Sequence, residues 1–204
     1  MIKDKNMDAR VSAILDYWFG ELPSDDFFPA EKAAFWFKCD PAVDVYVREN
    51  FQKDLDRASR GRLASWEKNP RPALALVLLL DQFPRHIYRD AAQAFDFDEK
   101  AADLCLWGIE QGYDRALKPV ERWFFYIPLM HAEDADLQKM SVEAYTRLCD
   151  EAPATLKEAL SGALDYARRH REIIDRFGRF PWRNAILVRE STPEETEFLK
   201  TSGS

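Results

Sequence analysis

Alanine and leucine account for 45 of the 204 residues, whereas valine, isoleucine and threonine together account for 21 and glycine for only 7. Straight-chain residues lose little rotamer freedom in a helix, while β-branched residues favour strands. An all-α fold is the expectation. The glycines nowhere form GxG, nor a phosphate loop ending in Gly-Lys-Ser or Gly-Lys-Thr. The glycine-rich nucleotide sites therefore have no support in this chain. Hydrophobic residues make up 47% of the sequence, enough for a sizeable core.

Helix starts and stops can be followed along the chain. Asp40-Pro41 reads as a cap followed by proline at the first helical position. Val43, Val47, Phe51, Leu55 and Ala58 then hold one apolar face to about Arg60. Pro72 opens a strongly apolar helix expected to stop near Phe83-Pro84. Asp96 or Asp98 is expected to cap the next, which ends at Gly112. Pro119 starts a short aromatic helix that Pro128 should break or kink. Leu137 to Leu148 carry another, and the longest runs from about Ala154 to Phe177, ending at Gly178. Thr192-Pro193-Glu194-Glu195 has the pattern of a capping box opening a last helix. Residues 8–19 and 29–38 supply two more, and Ala185 to Val188 is ambiguous. The sum is a single domain over residues 1–204 with about nine helices, ordered over about 8–200, with 201–204 as a tail.

The longest clean apolar run, Ala73 to Leu80, falls short of the roughly 20 residues a membrane span needs. Cys39, Cys105 and Cys149 are scattered and form no CxxC pair, which argues against a disulfide framework. The N-terminus lacks the apolar stretch of a signal peptide, so the cytoplasm is the expected compartment.

Three histidines are the natural candidates for chemistry near neutral pH. His170 falls within the stripe Leu156, Leu160, Ala163, Ala167, Ile174 and Phe177, so it points inward. It reads either as a buried histidine bonded to a backbone or carboxylate partner, or as an acid–base group in a cleft. His131 follows Pro128 and precedes Glu133-Asp134, and orients a loop or serves chemistry. His86 lies at a helix end, which suits a C-terminal charge or a surface role. No HxxxH, HExxH or Glu-x-x-His spacing occurs, so neither a metal site nor a cofactor is expected. There is no GxSxG elbow, and Cys105 lies on an apolar stripe.

The most distinctive stretch is Arg168 to Asn184, with six arginines and two acids. It carries +4 in a chain of net −7, leaving −11 elsewhere. Phe177, Phe180 and Trp182 interleave with the arginines. Such a segment either pairs with the protein's own acids, among them Asp81, Asp98, Glu121 and Glu133, or receives an anionic ligand or peptide. The acidic balance argues against nucleic acid as a partner.

Four ordered stretches carry a resemblance: LDYWFG (15–20), LLLDQFPRHIYR (78–89), ERWFFYIPLMHAED (121–134) and HREIIDRFGRFPWRNAILVRESTPEE (170–195). From about Ile14 to Leu199 the chain resembles the bacterial family catalogued as domain of unknown function 924. The resemblance implies a tetratricopeptide-like helical-hairpin fold and brings no activity with it. It implies recurring polar positions at Asp81, Gln82, Arg85, Tyr88 and Arg89, at Glu121, Tyr126, His131 and Glu133, and at His170, Arg176, Arg179 and Asn184. His86 stands where relatives often have asparagine, and Trp182 where they often have histidine.

Three functions are in view. The first is a soluble helical binding protein whose groove takes a peptide or small anionic ligand on Arg85, Arg89, Tyr126, Arg176, Arg179, Arg183 and Asn184. The second is an enzyme using His131 and His170 in acid–base chemistry on an anionic small molecule held by Arg176 or Arg179, with Glu133 or Asp175 tuning them and Asp81 orienting one imidazole. The third is a structural or self-associating protein forming a homodimer.

Overall fold

Asp8 and Asp40 open the first and third helices by accepting the amide hydrogens of Arg10 and Ala42 at 2.8 and 2.9 Å. The computed structural model describes residues 8–36 and 39–201, and among these every regular element is a helix or helical turn. The α segments are α1 (Ala9–Phe19), α2 (Ala30–Trp36), α3 (Pro41–Ser59), α4 (Pro70–Val77), α5 (Phe83–Ile87), α6 (Asp98–Glu110), α7 (Pro119–His131), α8 (Ala135–Glu151), α9 (Lys157–Phe177) and α10 (Pro193–Thr201). A π turn, Leu78–Gln82, joins α4 to α5 without a break, so the described residues form nine continuous helices. Part of the second expected helix, residues 37 and 38, lies outside the described residues. Among the described residues no helix is long and apolar enough to cross a membrane.

The expected capping box is present: Glu195 N donates to Thr192 Oγ1 at 3.1 Å, and Thr192 N donates to Glu195 Oε2 at 2.7 Å. Gly178 ends α9 with φ of 68°, a left-handed conformation that a Cβ disfavours. Ala185 to Val188 forms a turn.

Three local expectations are corrected. The apolar helix opens at Pro70 and does not stop at Phe83-Pro84. Pro84 has no amide hydrogen and its ring crowds the carbonyl four residues back, which a π turn relieves by widening the coil. Phe83 N–H accordingly reaches back five residues to the Leu78 carbonyl. Pro128 does not break α7, because Val120 through Met130 are all buried there. That packing outweighs the roughly 3 kcal/mol a mid-helix proline costs. Neither Asp96 nor Asp98 caps α6: Phe97 holds the cap position without a side-chain bond, and Asp98 is the first helical residue. Its carboxylate is committed elsewhere.

The core sits around α4 and α7. Ala73 to Leu80 are all nearly inaccessible, as are Phe124, Phe125 and Tyr126. Helix α7 packs on α4, α6, α8 and α9, and the π turn contacts α3, α6 and α7. The residue at the end of α7 and the polar residue of the π turn are thereby brought to one place.

Two helical glycines test how tightly this core is built. A Cβ at Gly108 would lie 2.5 Å from Phe125 Cζ, and Phe125 is fully buried, whereas a Cβ at Gly162 meets nothing within 4 Å. Gly108→Ala should cost about 1–3 kcal/mol through overpacking, and Gly162→Ala should gain about 0.5–1 kcal/mol through helix propensity. Urea midpoints at unchanged slope read both signs.

Candidate functional site

The π turn carries Asp81 inward to zero exposure, and such turns often mark functional sites. A buried carboxylate must find donors. His131 Nδ1 lies 2.7 Å from Asp81 Oδ1, and Gln82 Nε2 donates to Asp81 Oδ2 at 2.5 Å. Arg85 lies one turn on, with NH1 3.6 Å from Asp81 Oδ1 and donating to the Asp81 carbonyl. Burial pushes the Asp81 pKa up, but the charges of Arg85 and His131 and the hydrogen bonds from His131 and Gln82 hold it well below the usual carboxylate range. Burial, reinforced by Arg85, pushes His131 below the usual histidine value, against the pull of Asp81. The resident state near pH 7 is an ionised Asp81 and a neutral His131 that donates from Nδ1. Nε2 is then the ring nitrogen left as an acceptor.

His131 is held by backbone as well as side chain. It is the last residue of α7, where carbonyls have no helical partners. Gln138 Nε2, fully buried on α8, donates to the Met130 and Ala132 carbonyls at 2.6 and 2.8 Å. Arg183 NH2 donates to the His131 carbonyl at 3.0 Å. The Arg183 guanidinium lies between the rings of Phe95 and Phe180, at 4.6 and 4.7 Å from their centroids, and NH1 reaches Asp98 Oδ2 at 3.3 Å. Arg85 NH2 meets the same carboxylate at 3.0 Å. Asp81, Arg85, Asp98, Arg183 and His131 thus close a ring of contacts drawn from four parts of the chain. Burial pushes Arg183 down to about 10, opposed by Asp98, so it stays charged at neutral pH.

His131 opens onto a cleft of about 570 Å³, within the range of small-molecule sites. Phe95, Leu137 and Leu187 give it apolar walls, and Asp98, Glu133 and Arg183 are polar parts of the lining. No serine, threonine, cysteine or lysine lines it. Among the described residues no group of His, Cys, Asp and Glu has the arrangement to hold a metal ion.

The other expected site residues have partners of their own. His170 does not line the cleft: its Nδ1 lies 3.0 Å from the Tyr166 carbonyl, and its ring packs on Phe180 and Trp182. Glu133 accepts from Arg189 at 2.5 and 2.9 Å and from the Phe180 amide at 2.7 Å. It pins the turn that presents Arg183. Arg176 meets Glu194, Arg179 meets Glu195, and Arg89 meets Asp44. Asn184 accepts from Arg189 Nε at 3.0 Å and donates to Ser191 at 3.0 Å. Tyr126 OH donates to Asp114 at 2.7 Å, fully buried. His86 is not a surface charge: it is buried, with Nδ1 2.8 Å from Asp44, and burial lowers its pKa.

Phe95 and Leu187 carry no site signal in the sequence and Leu137 marks only a helix, since apolar residues that line a cleft look like core residues. Asp98 carried a signal read in part, as one acid among several able to face the arginines.

A solved structure similar to this one is that of a protein of unknown function, ATU0120, from Agrobacterium tumefaciens. The two are 37% identical over 94% of this chain and 97% of that one, with a TM-score of 0.76. The model of a family described as bacterial protein of unknown function (DUF924) matches residues 14–203. No curated protein matches the chain.

All three histidines have folded-state pKa values pushed below the ordinary 6.5, with burial the largest cause in each. In acid the unfolded chain then binds more protons than the folded one, so stability falls as pH drops below about 6.5. The carboxylates held low, Asp44, Asp81 and Glu133, add their loss only below their own ordinary range. Urea midpoints should decline between pH 7 and pH 5; a midpoint that rises over that interval contradicts the assignment.

Proposed function

The chain belongs to the DUF924 family of bacterial proteins of unknown function, and we propose that the cleft at Asp81 and His131 is an acid–base active site. The observation that carries this reading is one hydrogen bond in its setting. A fully buried carboxylate 2.7 Å from Nδ1 fixes the ring of a histidine that lines a cleft. That arrangement supplies a positioned base with a chosen tautomer.

The step is a proton transfer. His131 Nε2 takes a proton from a water molecule or from the substrate, and the imidazolium that forms stays bonded through Nδ1 to Asp81. The negative charge on Asp81 stabilises that cation, and Arg85 keeps Asp81 ionised. With no serine, threonine, cysteine or lysine in the lining, a covalent intermediate on those groups has no candidate there. The base acts on water, giving hydrolysis, or on a substrate C–H or O–H bond. The anion-binding groove expected on Arg176, Arg179 and Arg183 draws less support, since each of these arginines already holds an acid. The succession of packed neighbours α6, α7, α8 and α9 supports the tetratricopeptide-like reading of the architecture.

The test is a panel of esters, amides and carbon acids, read for hydrolysis and for solvent deuterium uptake. His131→Gln should lower kcat/KM about 10²–10⁴-fold for any substrate turned over, the usual contribution of a positioned base. The wild-type rate should rise with pH to a plateau through a pKa below about 6.5, because the neutral ring is the active form. A His131→Gln protein that remains folded and equally active overturns the proposal.

A further inference from the structure

Val188 takes a φ of 53°, and among the described residues Asp90 is the other non-glycine with a positive φ. Aspartate tolerates the left-handed region, whereas a β-branched side chain there is strained. Two backbone bonds impose the conformation. Arg189 N donates to the Asn184 carbonyl at 2.8 Å, and Val188 N to the Ala185 carbonyl at 3.4 Å. This is the bonding of a Schellman stop, whose left-handed position is usually glycine. Packing gives nothing back, because 93% of Val188 is exposed. Strained residues persist where their surroundings over-determine them, and they cluster at active sites and switch regions.

The two neighbours of Val188 show what the strain maintains. Leu187 is half-buried in the wall of the His131 cleft. Arg189 fastens the turn. Its Nε donates to Asn184 Oδ1 at 3.0 Å and its NH2 to the Phe180 carbonyl at 3.2 Å. Its NH1 and NH2 also donate to Glu133, another residue of the cleft wall, at 2.5 and 2.9 Å. Both members of that ion pair keep 23% of their side chains exposed. Water can replace such a pair at far smaller cost than any member of the buried Asp81 circuit. The base of the turn is fixed: Arg183 lies between Phe95 and Phe180, and Asn184 is held by Ser191 and Glu195. The part able to move is therefore 185–189, strained near its end and fastened there onto Glu133.

We propose that residues 185–189 form a lid on the cleft, sprung by Val188 and latched by Arg189 on Glu133. Release of the latch lets Val188 return to the common backbone regions and carries Leu187 out of the cleft wall, which widens the way to His131. The inference rests on the cleft of the proposed acid–base site and assigns its gating. Loop closure of this kind excludes water and sets access and release in many enzymes.

The test follows the lid without a substrate. The Leu187, Val188 and Arg189 amides are all hydrogen-bonded within the closed turn. Their hydrogen exchange in the full chain at pH 7, read by NMR, therefore counts openings. The three should exchange together and well ahead of the α7 amides. Val188→Asn, which tolerates the left-handed conformation, should slow all three about fivefold, and Val188→Gly should act in the same direction. Arg189→Gln leaves Glu133 on the Phe180 amide, and should speed exchange at Leu187 and Val188 about two- to fivefold. Carbethoxylation of His131 by diethyl pyrocarbonate, read by mass spectrometry, should follow the same order, fastest in Arg189→Gln and slowest in Val188→Asn. Exchange of the three amides at the α7 rate, or rates unchanged in Val188→Asn, overturns the inference. Exchange that responds while His131 modification does not shows a turn that opens without covering the site, and rejects the lid. Neither readout needs turnover. Lid rates that follow the variants stand even where His131→Gln stays active, and His131-dependent activity with unresponsive rates keeps the base and rejects the lid.

Discussion

The Asp81 carboxylate has no exposed surface, and the structure around it follows from the need to satisfy a charge taken out of water. No single partner meets that need. Gln82 comes from the same turn, Arg85 from the next, and His131 from the far end of a different helix. Arg85 then needs Asp98, Asp98 also takes Arg183, and Arg183 closes the circuit on the backbone of His131. Breaking a buried pair by removing one member costs about 3–5 kcal/mol, because the other charge stays buried and alone. The circuit therefore acts as a unit, and its members fix one another's geometry.

The same circuit answers the question posed by the uneven charge of the sequence. The basic stretch Arg168 to Asn184 is folded largely against acids of the same protein. Arg176 and Arg179 hold the start of α10 through Glu194 and Glu195, Arg183 holds Asp98, and Arg168 and Arg171 pair along α9 with Asp165 and Asp175. Surface pairs of this kind contribute little individually. Arg183 and Arg189 differ because they tie the 180–189 loop to the end of α7, where His131 sits.

Helix content was legible in the sequence because it is set by local choices: alanine and leucine, the Asp40-Pro41 start, the Thr192 capping box and the Gly178 stop. The π turn was not, because it arises from the conflict between Pro84 and an apolar run long enough to carry the helix past it. Pro128 misleads for the same reason in reverse, its local cost being outweighed by the burial of all of Val120 to Met130. For the site, the expectation that Asp81 orients one imidazole leaves open which one, and the geometry pairs it with His131. The separation of His170 from that cleft could not be read, since His170 and His131 both lie on buried helix faces. In the fold His131 meets Asp81 at the cleft, whereas His170 meets the Tyr166 carbonyl and packs on Phe180, the ring that also stacks on Arg183.

The central claim is that burial and Arg85 keep His131 neutral, while Asp81 fixes its proton on Nδ1 and leaves Nε2 as the acceptor. Long-range ¹H–¹⁵N NMR of the imidazole side chains at pH 7 measures this directly. The account predicts an His131 ring with a protonated, hydrogen-bonded Nδ1 and a bare Nε2, and loss of that Nδ1 proton signal in Asp81→Ala. A ring protonated on Nε2 in the wild-type protein, or one whose Nδ1 signal is unmoved by Asp81→Ala, would contradict it.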